Sequence, residues 1–347
     1  MLKRISLLVA CLTVPAVAVV APSLSQDAPS QKVAEAFFNS HKMDEAATEA
    51  ICRRVSKLNP TLADHPSAAE AKALNDCDGE TLYYGIGAPA DPVRARKCAL
   101  AELGKDDQQP YHLHDREGLL MMIYANGKGS RRNYELALHY ACQIDDSAYA
   151  RDARVRDLDH RAKWGWRGQD FESCEHATSG IAGGYCSGHR ARLSDQERAR
   201  RIAKLSQRWS PDARRRFEKL KVTAEDYFTT AHEMDCWRGT AQSACTIVGA
   251  EQEWETLVKA MERLQRGEAA QLEAEADRER RRIARINAEA AKEDTSWMPK
   301  EELAWYEGNE QESRSTRAAF ERDLVAFARA AFPQVTSHRI RRIFANQ

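Results

Sequence analysis

The chain has 347 residues, in which 52 basic and 52 acidic side chains cancel, 43% of residues are hydrophobic and 30% are charged. With no basic surplus to neutralise phosphates, nucleic acid is a poor first expectation as partner, and so is polybasic adsorption of the whole chain to a membrane. Low Gly and Pro counts, 17 and 11, exclude collagen-like and Gly/Pro-rich disordered compositions and leave an Ala/Glu/Arg-rich chain whose make-up favours helices.

Residues 1–25 read as a secretory signal peptide. Lys3 and Arg4 precede an apolar run of 17 residues from Ile5 to Ala21, and Pro22-Ser23-Leu24-Ser25 returns to small polar residues. The run is at the short limit for a span and contains Pro15, so no stable membrane span is expected after cleavage at Ala18 or Ser25. Leu8-Val9-Ala10-Cys11 also reads like a lipoprotein box, but few apolar residues precede Cys11 and many follow it, which makes lipoprotein anchoring the weaker alternative to a periplasmic or secreted protein. Cys52, Cys77, Cys98, Cys142, Cys174, Cys186, Cys236 and Cys245 remain, an even eight for which disulfides are the default in an oxidising compartment.

Residues 26–70 are expected to form an N-terminal helical cap. Val33, Ala34, Phe37 and Phe38 share one helical face, and a second helix from Asp44 to Leu58 stops at Asn59-Pro60. Residues 71–150 carry an internal repeat. Gly85-Ile86-Gly87 is followed ten residues after its first Gly by Ala95, and Gly127-Lys128-Gly129 at the same distance by Ala137, an offset of 42 residues. Each copy reads helix, turn, helix: the glycines let the backbone reverse at positive φ, and the alanine lets the second helix approach the first. Such a pair must stack on neighbours to bury its apolar stripe. A phosphate loop would need a third Gly, a preceding strand and a Lys-Ser/Thr ending, so no nucleotide site is expected.

Leu82-Tyr83-Tyr84-Gly85-Ile86-Gly87 with Asp91 and Ala95, and Ile123-Tyr124-Ala125-Asn126-Gly127-Lys128-Gly129 with Asn133 and Ala137, resemble SEL-type repeats, relatives of tetratricopeptide repeats. The resemblance implies a disulfide between the two helices of a repeat, and Cys77 and Cys98 bracket the first copy in that way. The second copy has only Cys142, which leaves the partners of Cys52 and Cys142 open; a bond between these two is what elimination suggests.

Trp164-Gly165-Trp166-Arg167-Gly168 reads as a joint, after which residues 165–267 form a further helical module. Cys174 and Cys186 have eleven residues between them, and Ser194-Asp195-Gln196-Glu197 is a capping box that should start a helix. Ser210-Pro211 starts another, with Phe217, Leu220, Ala224, Tyr227, Phe228, Ala231 and Met234 on its core side. Cys236 and Cys245 close that helix and open the next, which runs through Trp254, Leu257, Met261 and Leu264.

From about Phe171 to Gly267 the chain resembles the lysozyme inhibitor LprI N-terminal-like family, an all-helical module of exported bacterial proteins. The likeness rests on the spacing of Cys174 and Cys186, the long amphipathic helix that follows, and Cys236 at its end with Cys245 beyond. The aromatic-rich run usual before the third cysteine is replaced by Phe228-Thr229-Thr230-Ala231-His232. Cys174 with Cys186, and Cys236 with Cys245, are the expected pairs, each closing a short loop. Residues 268–296 read as a charged helix or linker whose large apolar residues, Leu272, Ile283 and Ile286, are too sparse for a coiled-coil seam. Residues 297–347 read as a small helical unit, with Phe320, Leu324, Phe327 and Ala331 on one face and Ile340, Ile343 and Phe344 in a short last helix.

Chemistry is thinly signposted. If every mature cysteine is paired, no thiolate remains for His176 or His189 to activate. His112-Leu113-His114-Asp115 gathers two imidazoles and a carboxylate, with His139 on the following repeat. Histidines at i and i+2 face different sides of a helix and no His-Glu-x-x-His spacing occurs, so a polar loop is preferred to a metal site. No Gly-x-Ser-x-Gly elbow occurs either. The expectation is an all-α protein, helical-repeat pairs followed by a disulfide-stabilised helical bundle module, that binds a protein partner without catalysis and without a cofactor. The resemblance implies a lysozyme as that partner, with Arg190, Arg192 and Arg238 as candidates to fill a cleft lined by two catalytic carboxylates. A periplasmic helical-repeat scaffold is the alternative, and a cell-wall hydrolase the third reading.

Overall fold

The computed structural model describes residues 43–103, 113–236, 239–290 and 300–344, and these form thirteen α-helices, one 3-10 turn and no strand. They belong to two compact units, one ending at Leu193 and the other beginning at Ser194. The expected signal peptide with Cys11, the Phe37-Phe38 helix, the Gln108-Gln109-Pro110 loop with His112, and Arg238 lie outside the described residues.

The first unit contains α1 (Glu45–Val55), α2 (Ala68–Ala73), α3 (Gly79–Tyr84), α4 (Pro92–Glu102), α5 (Arg116–Asn126), α6 (Tyr134–Ala141), α7 (Ala148–Trp164), a 3-10 turn (Ser173–His176) and the start of α8 (Gly180–Ser206). Helices α3 and α4 pair, α5 and α6 pair, α4 packs on α5, α6 on α7, and α1 lies against α6 and α7.

The repeat of 42 residues is written into the hydrogen bonds. Gly85 N–H donates to Thr81 and Gly127 N–H to Ile123, both at 2.9 Å; Asp91 N–H donates to Leu82 at 2.7 Å and Asn133 N–H to Tyr124 at 2.8 Å. Asp91 and Asn133 then cap α4 and α6 through their side chains. Ala95 and Ala137 are fully buried, as close helix approach demands. Helix α5 is the centre of the stack: every residue from Gly118 to Asn126 is buried, the mark of a helix surrounded by others.

Gly129 shows why the turn needs glycine. Its φ is +82°, and a Cβ there would overlap the Pro92 carbonyl at the start of α4, while its own carbonyl accepts from Arg96 Nη1 at 2.7 Å. Gly129→Ala is expected to cost about 3 kcal/mol, from overpacking together with a left-handed backbone, read as a lowered urea midpoint; a change below about 1 kcal/mol would show that the two pairs slide past each other freely.

The second unit contains the rest of α8, then α9 (Pro211–Asp235), α10 (Gln242–Gln265), α11 (Ala269–Ala290), α12 (Lys300–Ala331) and α13 (Ser337–Phe344). Ser210 caps α9 by accepting from Ala213 N–H, with Pro211 as the first helical residue. Helix α9 packs along α12 and against α10, and α13 lies on α11. Trp209, Phe217 and Phe327 meet at centroid distances of 4.9 to 5.2 Å, and Phe228 meets Trp254 and Phe320 at 5.4 and 5.2 Å.

The module boundaries differ from those expected. Phe171, Cys174 and Cys186 are buried in the core of the repeats, so the segment after the Trp164–Gly168 joint belongs to the first unit rather than to a module spanning 165–267. Ser194 starts no helix: α8 runs through it unbroken, because Gly188 to Leu193 contains no proline and His189 and Arg192 are tied to α3. Residues 297–347 are likewise no separate unit, since Phe320, Leu324 and Phe327 complete the core of α9 and α10. Helix α11 keeps its exposed charged face but docks through buried Leu272, and Arg339 and Arg342 of α13 pair with its Glu273 and Asp277.

Four disulfides join Cys52 to Cys142, Cys77 to Cys98, Cys174 to Cys186 and Cys236 to Cys245, the partners named from the sequence. Such a set belongs to an oxidising compartment. No described helix is long and apolar enough to cross a membrane.

Candidate functional site

A dense group of titratable side chains lies in the first unit, where four segments converge. Helix α3 supplies Glu80 and Tyr84, one turn apart and so on one face; the loop before α5 supplies His114; the 3-10 turn and its leading residue supply Glu172, Ser173 and Cys174; α8 supplies His189 and Arg192. The Cys174–Cys186 bond fastens the last two segments together. Two residues after His114, Arg116 has φ +37°, a backbone region that side-chain-bearing residues rarely enter.

The imidazoles of His114 and His189 stack at 3.9 Å between centroids, and Tyr84 leans on His189 at 4.4 Å. Each imidazole has its own carboxylate: His114 Nε2 lies 3.2 Å from Glu172 Oε1, and His189 Nδ1 lies 2.6 Å from Glu80 Oε1. Tyr84 Oη donates to Glu172 Oε2 at 2.6 Å. Arg192 grips Glu80 through Nε and Nη2 at 2.6 to 3.1 Å. Burial works against both carboxylates, but the His114 and Tyr84 hydrogen bonds outweigh it and hold Glu172 at about 2. Glu80 is also held below its usual value, burial being outweighed by His189 and Arg192. Burial, reinforced by the Glu172 charge, pushes the Tyr84 phenol far up.

A second group lies on the other side of the 3-10 turn. His176 Nε2 is 3.2 Å from Asp157 Oδ2, and Arg161 Nε donates to both Asp157 oxygens at 3.1 Å. Arg161 also reaches Glu175 Oε2 at 3.2 Å and covers Phe171 at 5.2 Å. Burial pushes His176 down. Glu175 is pushed up to about 7 by burial, with Arg161 opposing and Asp157 and Glu172 adding to the rise.

His114, Glu172 and Cys174 bring three donor atoms within 4.8 Å of one another, as do Asp157, Glu175 and His176. In the first trio the sulfur belongs to a disulfide and is not the thiolate that metals and nucleophilic catalysis require. In the second, the Arg161 guanidinium already provides the positive charge between the two carboxylates. What both arrangements do as built is cross-link: polar groups far apart in the chain satisfy one another in a buried setting.

Of the residues singled out from the sequence, His114, Cys174, His189 and Arg192 come together in the first group, and the others lie apart from it. His139 is a buried structural residue, 3.0 Å from the Val55 carbonyl oxygen. Of the arginines, Arg192 is engaged by Glu80, Arg190 is exposed and makes no ion pair among the described residues, and Arg238 lies outside them. Glu80, Tyr84 and Glu172 escaped the sequence reading because their partners lie 58 to 112 residues away, and Asp157 and Arg161, although an i,i+4 pair, look like any other charged pair on a helix. The one visible hint was the pair of carboxylates, Glu172 and Glu175, flanking Cys174. Comparisons with protein-family models, with curated proteins and with solved structures find no match.

Proposed function

We propose that the chain is an exported, non-catalytic binding protein, periplasmic or secreted, and that its partner is a protein; by the resemblance to the LprI N-terminal-like family, that partner is a lysozyme. Arg190 carries the reading. It is an exposed cation without an internal ion pair among the described residues, on a helix whose first turns are held by Cys174–Cys186 and by the Glu80–Arg192 pair. Elsewhere on that helix Ile181 and Tyr185 are 42% and 38% exposed. Tyr and Arg on rigid backbone bind at low ordering cost and dominate interface energetics, and a guanidinium suits a cleft lined by two carboxylates. The groups capable of acid/base chemistry, by contrast, are occupied with one another.

Micromolar protein is expected to slow cell lysis by at least one type of lysozyme, and Arg190→Glu to weaken that inhibition about tenfold. No inhibition across several lysozyme types would end the lysozyme reading. The stacked α3/α4 and α5/α6 pairs favour a second reading, a periplasmic helical-repeat scaffold; an envelope partner whose binding is unchanged by Arg190→Glu would support it.

A further inference from the structure

Charge cancels over the whole chain, yet it is unevenly distributed at the end of α7. Helix α7 stops at Gly165, whose φ is +59°, and this turn carries Trp164 outward at 75% exposure. The indole is not loose: it stacks on His160 at 5.2 Å. Half-buried Trp166 follows, its carbonyl accepting from Arg132 Nη1 at 2.9 Å and Tyr134 Oη at 3.2 Å. Those bonds bring the turn between α5 and α6 alongside the end of α7.

The cations of this corner outnumber the acids available to them. Asp159 is matched by Arg54 and Lys163, Glu135 by Arg54, and Asp170 by Lys128. Arg132 is bonded to backbone carbonyls, of Trp166 and Asn126, and not to an acid. Arg131 and Arg167 are exposed and have no carboxylate partner among the described residues. Burial raises the Tyr134 phenol while Arg132, Arg161 and Arg167 oppose it, which puts these guanidiniums within electrostatic reach of one atom.

We infer that this corner is a docking surface for an anionic phospholipid bilayer, with Trp164 entering the headgroup boundary, exposed Arg131 and Arg167 meeting lipid phosphates, and Arg132 holding the two turns together beneath them. Indole rings partition to that boundary because one end is apolar and the other donates a hydrogen bond, and unmatched arginines supply the attraction to negative lipid. An anionic glycan shares part of this chemistry, because sugar hydroxyls accept from guanidinium N–H groups as well as donate, and the test below separates it from a bilayer. The inference is independent of the lysozyme reading, since it uses neither Arg190 nor α8.

The test is co-sedimentation of the purified protein with vesicles of phosphatidylcholine mixed with phosphatidylglycerol, against vesicles of phosphatidylcholine alone. Binding to the mixed vesicles only is expected, weakened about tenfold by Trp164→Ala and at least as much by Arg131→Glu/Arg167→Glu or raised salt. All three side chains are exposed, so thermal unfolding should be unchanged, and that measurement separates lost binding from lost folding. Equal binding to both vesicles, no binding to either, or wild-type binding by folded Trp164→Ala would overturn the inference. So would binding to a soluble anionic polysaccharide without binding to vesicles, which would reassign the corner to glycan.

Discussion

Asp146→Ala is expected to destabilise the first unit by about 3 to 5 kcal/mol. The side chains of Asp146 and Arg154 are both 0% exposed, and Arg154 Nη1 meets Asp146 Oδ2 at 3.2 Å. Among the described residues no other counter-ion serves Arg154, and its Nε and Nη2 have no hydrogen-bond partner. Burial already pulls the Arg154 pKa down, with Asp146 as the main opposing influence. Removing the carboxylate therefore strands a cation that ordinary pH cannot neutralise. The pair need not be a net stabiliser for this to hold, because breaking a buried pair is costly even where replacing both partners is not. Asp146→Ala/Arg154→Met should accordingly recover most of the loss. Urea unfolding with hydrogen exchange along α7 measures both variants; a loss below 1 kcal/mol for the single variant would mean that water reaches the guanidinium.

The buried pair also marks the limit of what could be read from the chain alone. Local devices were legible because their parts are neighbours: glycines at positive φ, the Asp91 and Asn133 caps each six residues after the first glycine of its turn, and Ser210-Pro211 opening α9. Cysteine parity, taken with what the family resemblances implied and with elimination for Cys52 and Cys142, carried far enough to name the disulfide partners. Long-range polar pairing was not legible. Nothing in Glu80 announces that His189, 109 residues on, will take its carboxylate, and a sequence pattern cannot separate a solvated arginine from Arg154.

The boundary of the units was lost for the same reason. Gly-rich Trp164–Gly168 has the composition of a linker, but Phe171 and Cys174 return the chain to the repeat core, and helical continuity through Ser194 then overrides a local cap signal. A capping box lowers the cost of starting a helix; it does not end one already running. Arg192 illustrates the consequence for function, since a cation placed correctly on the helix surface turned out to be held by Glu80, whereas Arg190, two residues earlier, was not.

Oxidised sulfur should matter most where it closes the longest loop. Cys52 and Cys142 are 90 residues apart in sequence, against 9 for Cys236 and Cys245. If the bonds act by restricting the unfolded chain, Cys52→Ser/Cys142→Ser should cost about 4 to 5 kcal/mol and Cys236→Ser/Cys245→Ser only about 3 kcal/mol. The Cys77–Cys98 bond lies inside the longer loop and shortens it, but the dependence is logarithmic and the correction is a few tenths. Helix α1 also has noncovalent ties to α7, through Thr48 to Asp152 and Arg54 to Asp159, so it should stay docked in the folded variant and the difference should lie in the unfolded state. Paired urea titrations decide this. Equal losses for the two variants would reject chain entropy as the source of the difference and point to packing around each sulfur instead.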